Sequence, residues 1–371
     1  MTQSEDPPKL RSELANGMRI FVERTNTPNI VTVELYASNE ASYESPETHG
    51  FRHLVEHIAV RGKDRSLDKR LESKGLYLTA STSRMGMAIQ ITGPSEHVAL
   101  AIDALNEITS TFSVTEEQIV KESQIIKEEK ALLPNRTHLA TVAWNTFFET
   151  GGLDAFGNVE VMAKATVDQL AKTHTNQFLA HGLSLVVIGD VQTQAVMNRC
   201  KELFEGRSGE RIAGAPRFSE DAPAKVSSPI AGAARAVLVP GFPDVTTMAA
   251  LAAAFAFQSE IEGLQPVYTV SGHEGVITLC AESASDLGKI DQLPSDVKKA
   301  IISRGRRIAV NYIRNQIQNP SSYAHLRAVL LRDHVGVTPE DLMVQAVALT
   351  DDQILVAMGR FAASECVQVA G

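Results

Sequence analysis

The run Ala165-Thr166-Val167-Asp168-Gln169-Leu170 returns late in the chain as Leu349-Thr350-Asp351-Asp352-Gln353-Ile354. Both are helix-start patterns, and each is followed by a helix and then by an apolar strand, Leu185-Val186-Val187-Ile188 in the first case and Cys366-Val367-Gln368-Val369 in the second. A chain that repeats a whole helix-then-strand recipe is most simply two homologous α+β halves. Its length agrees, because 371 residues exceed the roughly 250–300 at which one core stops growing. Between the copies, residues 205–230 turn to Gly, Ser, Pro, Ala and charge, as in Glu205-Gly206-Arg207-Ser208-Gly209, and read as a linker. The expected division is therefore 1–204, a linker 205–230, and 231–371.

Composition narrows the function classes. A 44% hydrophobic, 21% charged chain is globular rather than disordered or coiled-coil. The net charge of −9 repels phosphate backbones, so nucleic acid is not an expected partner. Cys200, Cys280 and Cys366 have no metal-knuckle spacing and are expected to be reduced packing residues. The first thirteen residues include Glu5, Asp6, Pro7 and Pro8 rather than an apolar run. The apolar stretch 248–257 is shorter than the ~20 residues a membrane crossing needs. A cytoplasmic protein with no membrane partner is the expectation.

Alternation of apolar and polar residues predicts strands at 18–23 and 30–37, paired antiparallel around Asn26-Thr27-Pro28-Asn29, and a second pair at 76–81 and 86–92. Helix-period segments cover 50–60, 67–74, 95–112, 115–132, 137–149, 159–163 and 167–180, before a strand at 184–188. The second half predicts strands at 234–239, 267–270 and 275–281, a helix at 246–261, and helices onward to about 363. In this region the basic run Arg304-Gly305-Arg306-Arg307 reads as a solvated helix face.

Chemistry concentrates at His53-Leu54-Val55-Glu56-His57. On a helix, positions i and i+4 lie one above the other, so both imidazoles can face a single ion. Glu56 flanks that face and is placed to take a proton from a water the ion activates. Such polar groups are costly on a helix otherwise made of Phe51, Leu54, Val55 and Ile58, unless they share a partner.

A catalytic zinc takes three protein ligands and leaves one position open, and two histidines are commonly completed by a carboxylate. At ~100° per residue, Ile119, Ile125, Ile126, Leu132 and Leu133 form an apolar arc of the 115–132 helix, with Glu122 and Glu129 in its middle. Glu129 is therefore a better third ligand than Glu128, which falls at the edge of the arc. Glu122, two turns away, belongs behind the ligands, orienting a histidine or sharing a proton.

With these residues in place the chain resembles the pitrilysin or insulinase-type zinc metallopeptidases, the inverzincins of the H-x-x-E-H motif, and within them the mitochondrial-processing-peptidase-like subgroup. The resemblance rests on Gly50 to His57 followed by Gly62, the pair Glu122 and Glu129, Leu133-Pro134-Asn135, Gly157, and Leu185-Val186-Val187-Ile188-Gly189-Asp190. It implies two halves, each a mainly antiparallel sheet with helices packed on one face, enclosing a chamber with zinc in the first half. It implies endoproteolysis of peptides, with Zn2+ held by His53, His57 and Glu129, and Glu56 as general base.

Two departures shape the partner expectation. Where the family often has Asn-Ala to hold the substrate backbone, this chain has Thr79-Ala80. The family's substrate-binding Arg and Tyr in the second half are replaced by Ser259 and Pro266, and the nearest tyrosine is Tyr268. Thr79 and Tyr268 are the remaining substrate-binding candidates in this chain. The pattern resembles a catalytic subunit that draws its Arg/Tyr pair from a homologous non-zinc subunit in a heterodimer, with a homodimer as the alternative. A non-catalytic scaffold of a processing-peptidase-like complex is the competing class.

Overall fold

A computed structural model describes the chain except residues 1–5, 39–43, 151–152, 210–216, 219–224, 242–243, 272–273, 294, 334–335, 363–366 and 371. The chain divides into two compact units. The first comprises Met1–Lys130, Leu153–Ala215 and Gln318–Gly336; the second comprises Ala131–Gly152, Pro216–Ile317 and Val337–Gly371.

The first unit holds a six-stranded sheet. Numbered along the chain, its strands are β1 (Lys9–Glu13), β2 (Arg19–Arg24), β3 (Ile30–Ser38), β4 (Tyr77–Thr82), β5 (Gly86–Pro94) and β7 (Leu183–Gly189), in the order β1-β2-β7-β3-β5-β4. The predicted β2–β3 pairing does not occur, because β7 lies between them, parallel to β2 and antiparallel to β3. The reason lies in β7 itself: Leu-Ser-Leu-Val-Val-Ile-Gly is buried along its whole length and needs a hydrogen-bonded neighbour on each edge. The β4–β5 pair is antiparallel, as its alternation predicts.

Val31, Val33, Leu35 and Ala37 of β3 join the main core with α1 (Phe51–Ala59), α2 (Leu67–Glu72), α3 (Val98–Ser110), α4 (Glu116–Ala131), α6 (Val159–Met162), α7 (Val167–Gln177) and α8 (Thr193–Phe204). The alternate residues Thr32, Glu34 and Tyr36 are also buried. Against this polar face lies one helix from far along the chain, α12 (Pro320–Asp333). His325 Nδ1 lies 2.7 Å from Glu34, Tyr36 donates to Asp333 at 3.2 Å, and Ser184 donates to the Ala328 carbonyl at 2.7 Å. Buried polar groups are thereby paired rather than stranded.

The second unit has α5 (Asn135–Phe147), the short pair β6 (Phe148–Thr150) and β8 (Arg217–Phe218), and a five-stranded sheet of β9 (Lys225–Ser227), β10 (Ala233–Pro240), β11 (Gln265–Ser271), β12 (Glu274–Ala281) and β13 (Val367–Ala370). Its further helices are α9 (Val245–Glu260), α10 (Ala284–Gln292), α11 (Ser295–Gln318), α13 (Pro339–Ala348) and α14 (Asp351–Ala362). The strand order β9-β13-β10-β12-β11 repeats β2-β7-β3-β5-β4 of the first sheet, and β13 is again parallel to one neighbour and antiparallel to the other. The echoed hexapeptides start α7 and α14 with the same reciprocal cap. Thr166 N to Gln169 Oε1 and Thr350 N to Gln353 Oε1 are both 2.9 Å, with return bonds of 3.2 and 3.3 Å. The fold is thus mixed α/β, a sheet of mainly antiparallel strands with helices occurring once in each of two repeats.

The units exchange a helix relative to a sequential cut. α5, from the first stretch of sequence, packs on β10, β11, β12 and β13, while α12, from the second, packs on β3 and β7. Of the expected 205–230 linker, 217–218 and 225–227 form strands, and 210–216 and 219–224 lie outside the described residues. Cys200 and Cys280 are free and buried, whereas Cys366 lies outside the described residues. Arg304 and Arg306 of the basic run make ion pairs with Glu260 and Asp351. No single described helix is long and apolar enough to cross a membrane.

Candidate metal centre

Helix α1 is short and almost wholly buried, with Gly50 as its left-handed N-cap. Burial on all sides fixes its rotation, so the i, i+4 pair His53 and His57 is presented together, with ring centroids 4.8 Å apart. Glu129 reaches them from the last turn of α4. Its Oε2 lies 3.6 Å from His53 Nε2 and 3.5 Å from His57 Nε2. One ligand atom from each of the three falls within 4.8 Å of the others. Among the described residues this is the one such cluster.

The surrounding bonds decide which atoms are available. Glu122, 2% exposed, sits behind His57 with Oε2 3.3 Å from Nδ1, and its other oxygen is 3.3 Å from Arg65. A carboxylate on Nδ1 fixes the imidazole tautomer and leaves Nε2 with its lone pair toward the cluster. Two imidazole nitrogens and one carboxylate oxygen, with a buried carboxylate behind one imidazole, suit a divalent cation of zinc's kind with one position left over.

Burial, reinforced by the charges of His57 and Arg52, depresses the His53 pKa to about 3, against the opposing pull of Asp154 and a backbone hydrogen bond at Ala155. A neutral imidazole is the form that binds metal. For His57, burial works downward, but the Glu122 hydrogen bond and the charges of Glu129 and Glu56 outweigh it and raise the pKa. Glu122 is held below the usual range chiefly by that same hydrogen bond from His57. Glu56 is raised by burial, although Thr82 and His57 favour its charged form. Thr82 Oγ1 donates to Glu56 Oε2 at 2.5 Å.

Several sequence expectations change in detail. Glu122 is buried in the α4 face as the periodicity predicts, but Glu129 is half exposed, its side chain 44% accessible. The helix ends at Ala131, before Pro134, so Leu132 leaves the predicted apolar arc and is 85% exposed. Thr79 lies on β4 with its side chain exposed, opposite Gln90, and is not part of the cluster. Tyr268 is on β11 of the second unit, opposite Ile277. Ser259 turns its hydroxyl back onto the Ala256 carbonyl at 2.8 Å. Sequence reasoning missed Thr82 and Arg65, since neither lies at a helical spacing from the residue it serves.

A cavity of about 240 Å3 borders Glu56 and His57, with Val60, Leu78 and Ala80 as apolar wall and Arg61, Asp68 and Glu72 as polar wall. Beside it, β4 is the outer strand of its sheet.

Residues 19–146 match the insulinase family, peptidase family M16. The matched stretch contains β2 through most of α5, and with them His53, Glu56, His57, Glu122 and Glu129. Cytochrome b-c1 complex subunit 1 of Bos taurus is 27% identical over 208 residues, 53% of this chain and 43% of that protein. Mitochondrial-processing peptidase subunit beta of Dictyostelium discoideum is 24% identical over 204 residues, 52% of this chain and 42% of that protein. The chain thus spans less than half the length of these curated relatives. Among solved structures, a protease from Helicobacter pylori superposes with TM-score 0.80 at 17% identity, covering 98% of this chain and 99% of the other. The first half of the periplasmic protease PqqL from Escherichia coli gives 0.70 at 13% identity, over 98% and 92%. At these identities the likeness is one of fold.

Proposed function

We propose that this chain is a zinc-dependent endopeptidase subunit of the M16 type. The observation that carries the reading is the convergence of His53, His57 and Glu129 from two helices with Glu56 beside them. Zn2+ held by these three side chains supplies Lewis acidity, lowering the pKa of water and polarising a carbonyl. Glu56 takes the proton from the attacking water and delivers it to the leaving amine; its burial-raised pKa suits a group that must both accept and release. Thr82 fixes one Glu56 oxygen and leaves the other for that transfer. Glu122 keeps His57 in the tautomer the site requires.

The substrate is a peptide in extended form. The outer edge of β4 offers backbone groups for an added strand, and the cavity against Glu56 has room for one side chain. Ser259 and Pro266 in place of an arginine and a tyrosine support a homologous partner subunit that completes the substrate site. A chain that cleaves peptides at full efficiency alone would remove the partner.

The similarity to a cytochrome b-c1 complex subunit favours a second reading, a non-catalytic assembly subunit. Zinc content per chain, measured for the wild type and for His53→Ala, separates the first step. We expect about one zinc, lost in the variant. Peptide cleavage by the loaded chain, with and without co-purified paralogues, separates the rest: zinc bound but no turnover in any combination supports the scaffold.

A further inference from the structure

Glu129 is the weakest-held of the clustered residues. It sits in the last turn of α4, where carbonyls lack helical partners and the backbone frays, and its half-exposed side chain has little packing to fix it. The next residue carries a tether. Lys130 Nζ donates to the Gly157 carbonyl at 2.8 Å and lies 3.5 Å from Asp154 Oδ1.

The stretch it grips, 154–158, is bound at its other side to the start of α1. Asn158 N donates to the His49 carbonyl at 3.1 Å, and the His49 ring meets the Asp154 carbonyl at 2.9 Å. Gly157 and Gly50 both adopt positive φ, 75° and 101°, and a Cβ on Gly157 would lie only 2.3 Å from Gly50 Cα. Backbone therefore stacks on backbone at the N-cap of the histidine helix. Phe156 sets its ring edge-on to His53 at 5.4 Å.

We propose that Lys130 is a positioning residue. By clasping 154–158 it ties the end of α4 to the start of α1 and so sets the Glu129 carboxylate against His53 and His57. The proposal rests on the metal reading above. The bland alternative is a partly exposed ion pair that adds little to stability, and it predicts no effect on metal affinity.

The test uses the full chain with Co2+ followed by its visible absorption, and Zn2+ by competition. Lys130→Met should weaken binding roughly tenfold, the lower end of what losing an outer support costs. Lys130→Arg, which can still donate to Gly157, should stay close to the wild type, and the unfolding midpoint of the metal-free protein should not move. Amide hydrogen exchange over 128–131 should quicken in Lys130→Met alone. Unchanged affinity in Lys130→Met, or equal losses in both variants, overturns the clasp and leaves the metal reading standing. A fall in the metal-free midpoint that accounts for the loss assigns Lys130 to stability and overturns it too. A wild type that binds no tighter than His53→Ala removes the metal reading and the clasp together.

Discussion

Helices α1 and α9 occupy the same place in the two repeats, following the third strand of one sheet order and its counterpart in the other. α1 is buried almost throughout, and α9 over most of its middle. α1 spends that burial on two histidines and a glutamate, whereas α9 spends it on alanines, Met248, Leu251 and Phe257. One architecture therefore tolerates either content. The apolar periodicity and the buried strands decide the fold; a few polar residues, supported from α4 and β4, decide whether a position carries chemistry.

The comparison can be broken most sharply at Glu56. Glu56→Gln keeps the shape and removes the proposed proton acceptor, so on that proposal turnover should fall by roughly 10²–10⁴-fold or more, with zinc content unchanged. Peptide hydrolysis and metal analysis on one preparation check this, and retained turnover would remove Glu56 from the mechanism. The reverse insult is Trp144→Ala. Trp144 is fully buried in the second unit and stacks on Phe148 at 4.1 Å. The lost contacts should cost about 3–5 kcal/mol of that unit's stability, while metal affinity at the first unit stays as it was. Denaturant unfolding read beside metal titration would show whether the two properties separate.

The smallest expected effect concerns acid. His174, in the first unit, is buried against Phe112 and Phe178, and burial holds its pKa at about 4 despite the bond to the Ile108 carbonyl. The unfolded chain binds that proton near pH 6.5 and the folded chain does not. Stability from this residue is thus complete above pH 6.5 and declines as pH falls toward 4, by up to roughly 3 kcal/mol. In His174→Gln, denaturation midpoints should vary less between pH 7 and 4.5; equal slopes in the two proteins would remove His174 as the source.

Much of this was legible in the sequence because it is local. The echoed hexapeptides become matching caps, His53 and His57 meet because a helix turn requires it, and Glu122 is buried because its neighbours Ile119 and Ile126 are. What local pattern could not give is pairing between distant segments. Strands β2 and β3 alternate as a hairpin would, yet β7, more than 140 residues beyond β3, enters between them. The polar side of β3 is covered by α12, a helix that follows it only late in the chain. Thr82 meets Glu56 through the placement of β4 against α1, which no spacing announces.

The helix exchange limits what can be cut. A fragment ending near residue 204 would retain every clustered donor but forfeit α12, uncovering Glu34, Tyr36 and Ser184. Such a piece would have to borrow the missing helix from outside, most readily as a separately supplied segment containing 320–333. Although the two repeats share one strand order, each draws a helix from the other stretch of sequence, and neither is a self-sufficient module that could be shuffled into another protein intact.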